Sequence, residues 1–102
     1  AVMSQYLIAT NVLEAIVRGS LEHMDSLRVH GSLPLVRARP VEVKVDGEEC
    51  HVAVHLDARM GERLPELAVA VRGHVAQALE AMTGLRVTAV DVIFDGVFLA
   101  GV

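Results

Sequence analysis

The sequence predicts a small α+β domain, a two-layer sandwich in which a mixed sheet of three or four strands carries two helices on one face. Three observations lead there. Residues 41–56 alternate apolar and polar side chains around Asp46-Gly47, as the two arms of a β-hairpin do. Leu64, Leu67, Ala68, Val71, Val75, Ala78, Leu79 and Met82 recur at the spacing of one helix face. Gly84 then stands where a left-handed helix stop is wanted, and the period changes to two, with Val90, Val92 and Phe94 on one side of a strand. The expected element order is (β)αββαβ over a single domain spanning residues 1–102.

The bracketed strand is the short apolar segment from Gln5 to Ala9, whose status the sequence leaves open. Without it the order is αββαβ; with it the layout is ferredoxin-like. Thr10 or Asn11 can cap the first helix, and Asn11 with Glu14 has the spacing of a capping box. The helix is expected to run to about Leu27, with Leu13, Ile16, Val17, Ser20, Met24 and Leu27 inward. Glu14 to Arg18 has the supportive order of an i,i+4 ion pair. Gly19 weakens the interior by about 1 kcal/mol relative to alanine. From Val29 to Pro40 no period survives, and Gly31, Pro34 and Pro40 mark a loop in which Arg28, Arg37 and Arg39 gather.

In the hairpin, Val41, Val43 and Val45 alternate with Glu42, Lys44 and Asp46, and Cys50, Val52, Val54 and Leu56 with His51, Ala53, His55 and Asp57. One face is thus apolar, meeting the helices, and the other polar. Pro65 suits the first turn of the second helix. A last strand parallel to residues 50–56 completes a β-α-β crossover, right-handed by the general rule.

Composition narrows the function. A chain of 102 residues buries one modest core. With three aromatic residues and no tryptophan, that core is aliphatic and base-stacking platforms are scarce. A formal charge of −4 argues against nucleic-acid binding through a basic field. One cysteine excludes an internal disulfide and fits a reducing compartment, with cytoplasm the default. No apolar run reaches the ~20 residues of a membrane-spanning helix, and the segment from Ala1 to Ala9 lacks the features of a signal peptide. Direct membrane insertion is not expected.

No catalytic, cofactor-binding or metal-binding set emerges. Cys50 falls on the apolar side of its strand, away from the access and positive field that a reactive thiolate needs. His51 and His55, four residues apart on a strand, are separated by about 13 Å, too far to share one ion. With Glu42 and Asp57 they form a candidate polar-face contact for a ligand, against the plainer reading of exposed polar residues. His23 and His74 sit at the boundaries of the helix faces. Val69, Gly73 and Ala76 make a small-residue stripe on the outward side of the second helix, and Val97, Phe98 and Leu99 an apolar strand end. Both are candidate interfaces, against the alternative of isolated surface apolar groups.

A resemblance accompanies these readings. Met60-Gly61, the helix from Leu64, the run Glu80-Ala81-Met82-Thr83-Gly84-Leu85, then Val87, Val90, Asp91, Val92 and Gly96-Val97 resemble the alkaline shock protein family of bacterial envelope stress proteins. The likeness extends back through the hairpin and more loosely to residues 12–27. It implies a small, non-enzymatic, cytoplasmic protein of Gram-positive-type bacteria and their relatives, linked to envelope stress. Some members self-assemble, and some are held near the membrane by an anchoring partner. The expectation is therefore a scaffold or interaction protein acting by homo-oligomerisation and partner binding. The alternative is a small regulatory domain binding a ligand or ion on the polar sheet face.

Overall fold

A computed structural model describes residues 7–31 and 39–99 of the chain. The elements are α1 (Thr10–Leu21), β1 (Leu27–Val29), β2 (Val41–Asp46), β3 (Glu49–Arg59), α2 (Leu64–Thr83) and β4 (Arg86–Phe98). The fold is α+β, with one mixed four-stranded sheet.

β3 organises that sheet. Along one edge β2 pairs antiparallel with residues 49–54 of β3 and β1 antiparallel with residues 56–58, so the two short strands share it end to end. Along the other edge β4 runs parallel to the whole of β3. At the seam between β1 and β2, the His55 N–H donates to the Pro40 carbonyl at 2.7 Å, and the His30 N–H to the His55 carbonyl at 2.9 Å. The parallel β3–α2–β4 unit is the crossover expected from the sequence.

The hairpin closes through Gly47 and Glu48, with Asp46 opposite Glu49. Gly47 has φ +63°, and a positive φ at the first central residue is the type II′ arrangement, whose twist matches that of the strands. α2 ends as predicted: Gly84 adopts φ +75° and its N–H donates to the Glu80 carbonyl at 3.0 Å.

The core lies between the helices and one sheet face. Leu13, Val17 and Leu21 of α1 meet Leu67, Val71, Val75 and Leu79 of α2 and Val41, Val43, Cys50, Val52, Val54, Leu56 and Ala58 of the sheet. Val87, Val90, Val92 and Phe94 of β4 pack against this cluster from the sheet side.

Several expected details differ. α1 stops at Leu21 rather than Leu27; Leu27 is buried because it begins β1, and the fourth strand lies after α1. Three residues are too few to reveal a period. No capping box forms: the N-cap is Ala9 without a side-chain bond, and Glu14 pairs with Arg39 at 3.0 Å. A tertiary ion pair thus takes the carboxylate expected to serve the helix start or Arg18. Met82 is exposed and Thr83 takes the inward position, its hydroxyl donating to the Leu79 carbonyl at 2.5 Å. That bond satisfies a buried hydroxyl, which hydropathy alone would not place inside. Of the optional first strand, Gln5 and Tyr6 lie outside the described residues, and Leu7 to Ala9 form no strand.

Candidate functional site

The second face of the sheet is covered by neither helix, and it gathers the polar residues that strand alternation predicts. From β3 come His51, Ala53, His55, Asp57 and Arg59; from β2, Glu42 and Lys44; from β1, Arg28. Across the parallel register β4 contributes Ala89, Asp91 and Ile93 opposite His51, Ala53 and His55.

Each of the three histidines here meets an aspartate. His51 Nε2 lies 2.7 Å from Asp91 Oδ2, and His55 Nδ1 lies 2.5 Å from Asp95 Oδ2. His30 Nδ1 lies 2.7 Å from Asp57 Oδ1. The first two pairs join β3 to β4 with the same sequence separation of 40, two rungs of one ladder. The third joins the end of β1 to β3. The hydrogen bond to the Asp57 carboxylate raises the pKa of His30 above its ordinary value, against a smaller opposing effect of desolvation; the charges of Asp57 and Asp95 add to the rise.

Two local features aim these carboxylates. The β3–β4 register shifts twice, β4 carrying an extra residue each time: Thr88 between Val87 and Ala89, and Asp95 between Phe94 and Gly96. Such bulges redirect side chains, and Asp95 is directed onto His55. At Gly96 a Cβ would stand 2.9 Å from Asp57 Oδ1. Glycine there lets the Asp57 carboxylate lie against β4 while it holds His30.

The predicted site residues fall into separate groups. Glu42, His51, His55 and Asp57 do share the polar face, but His51, His55 and Asp57 are each engaged by a partner outside that set. Sequence reasoning missed His30, Asp91 and Asp95. No spacing signalled the two aspartates, because the bulged register of β4 on β3 is not written in the sequence, and for His30 there was no signal because β1 was not foreseen. Glu42, Lys44, His51, Ala53 and Asp91 line a recess of about 140 Å³. Among the described residues no group of three or more His, Cys, Asp or Glu side chains is placed to hold a metal ion.

At the end of β4, Val97 and Leu99 are each 59% exposed, whereas Phe98 is half-buried beneath the Arg28 guanidinium, 3.9 Å from its ring centroid. On α2, Val69 and Gly73 are exposed and Ala76 half-buried. Of the loop arginines, Arg28 belongs to β1 and Arg39 pairs with Glu14, and Arg37 lies outside the described residues. Cys50 is buried at 2% exposure, and desolvation, with a smaller contribution from the Glu80 charge, raises its thiol pKa.

These features define a two-layer α+β domain with a parallel β-α-β unit, one polar sheet face that neither helix covers and a long edge strand. The chain belongs to the alkaline shock protein 23 family, whose family model, described as having a cell envelope-related function, matches residues 2–99. No curated protein and no solved structure matches the chain. No described helix is long and apolar enough to cross a membrane.

Proposed function

We propose that this protein is a non-enzymatic scaffold of the bacterial cell envelope stress response, working in the cytoplasm by self-association and partner binding. The observation that carries this reading is the outer edge of β4. The strand runs for 13 residues, pairs only with β3 among the described strands, and ends in exposed Val97 and Leu99. Between its two bulges, residues 89–94 of that edge present an unbroken row of backbone donors and acceptors to another strand. A second copy supplies a matching edge, and a two-fold arrangement makes such a contact self-complementary. The stripe of Val69, Gly73 and Ala76 on α2 offers a separate surface for a partner, including a membrane-anchored one.

Size-exclusion chromatography with light scattering over a wide concentration range tests the reading. Dimers or larger species are expected, falling to monomer when Val97→Asp and Leu99→Asp are combined. A protein monomeric at every concentration, at mildly acidic and at mildly alkaline pH alike, would remove self-association from its activities.

A second reading, a regulatory domain taking a small ligand or ion, is favoured by the recess between Glu42, Lys44, His51 and Asp91. It requires a saturable rise in melting temperature with one compound, abolished by His51→Ala.

A further inference from the structure

The proposed β4 edge is guarded by the residues that make the ladder. Asp91 and Asp95 both lie on that strand, and charged side chains on an edge discourage strand addition. Each carboxylate is in turn held by a histidine of β3. We propose that His51 and His55 act as a proton-operated guard on this edge: when they are protonated, Asp91 and Asp95 are compensated and a second copy pairs with β4, and when they are neutral the aspartates repel it. This inference rests on the self-association reading above and adds its regulation.

The surroundings of each rung support the assignment. Beside His51, Lys44 is its direct cross-strand neighbour and Glu42 lies further along β2, so these flanking charges are opposite in sign. Beside His55 lie Asp57 and Asp95, with His30 on Asp57 and Arg28 opposite Asp57 on β1. Arg59 is paired with Glu62, and Arg86 with Glu49 at the start of β4. Both helices are on the other side of the sheet. Hence Asp91 and Asp95 have His51 and His55 as the side chains paired to them by hydrogen bond, and imidazole changes charge within the pH range of cells.

The sign follows from linkage. Bringing two copies together adds to the negative field on each ladder, so the assembled form binds protons more tightly than the separate chains. Association therefore weakens as pH rises. Two edges carry four aspartates, and like charges across paired strands are destabilising. A fall of at least about tenfold in the association constant between about pH 5.5 and 8.5 is expected on that basis.

Light scattering or sedimentation at those two pH values tests this with three proteins, circular dichroism confirming that each is folded. The unmodified chain is expected to associate at the lower pH and dissociate at the higher. The variant combining Asp91→Asn with Asp95→Asn is expected to associate at the higher pH, where the unmodified chain does not. The variant combining His51→Gln with His55→Gln is expected to associate weakly at both. Wild-type association that does not change with pH would leave the edge reading standing and overturn the guard. So would an asparagine variant that still dissociates at the higher pH. A wild-type chain monomeric throughout would overturn both.

Discussion

The His30–Asp57 pair depends on a residue with no side chain. Because a Cβ at Gly96 would press on the Asp57 carboxylate, Gly96→Ala should displace that carboxylate and loosen its bond to His30. The readout is the His30 titration by NMR, which is expected to move back toward the ordinary histidine range in Gly96→Ala and further in Asp57→Asn. The raised value has a definite consequence for stability. A proton held more tightly in the folded chain favours folding below the unfolded histidine pKa, and that contribution disappears as pH rises through the raised value. Denaturation midpoints should therefore lose part of their pH dependence across this window in Asp57→Asn. For Cys50 the pKa is also raised, and with the thiol buried, a thiol reagent at about pH 8 is expected to leave the native chain unmodified and to react once it is unfolded.

At the scale of elements, what was legible in the sequence depended on length. α2 offers five turns of apolar repeat and a glycine stop, and β2 and β3 offer sustained alternation about Asp46-Gly47, so each was readable. β1 was not, since Leu27 fits the helical spacing begun by Leu13 as well as it fits a strand. The polar face could be read from alternation, but its pairing could not. Asp95 reaches His55 through a bulge that shifts the register by one, and no spacing rule announces where such a residue is inserted. Gly84→Ala forces a side chain into the left-handed region and is expected to cost about 1 kcal/mol in urea denaturation. Leu79→Ala, at a fully buried position of α2, is expected to cost about 2–5 kcal/mol. If Leu79→Ala proved the milder of the two, the packing of α2 on the sheet would need revision.

For the molecule as a whole, every pairing among the described strands passes through β3. β1, β2 and β4 each pair with it and with no other described strand, and its inward residues share the core with the helices, α1 lying against β1 and β2 and α2 against β4. Unfolding is accordingly expected to be a single cooperative transition, with circular dichroism and NMR signals from β1 and β4 sharing one midpoint. Early loss of β4 signals alone would mean that the edge strand is a separate unit. The Arg28 guanidinium over Phe98 ties the end of β4 to β1 across β3, so Arg28→Ala should bare that ring and raise the tendency to associate in a concentration series.

The two bulges of β4 also set a rhythm. Along a strand, successive backbone amides point alternately to one side and the other, and each inserted residue reverses that alternation. The outward-pointing amides of residues 89–94 are therefore out of step with those before Thr88 and after Asp95. An ordinary straight strand added to this edge keeps in phase for those six residues and no further. Amide hydrogen exchange should record the pattern directly: alternate fast and slow amides along β4, with the phase inverted at Thr88 and again at Asp95, and protection of the fast set alone when a second strand takes its place.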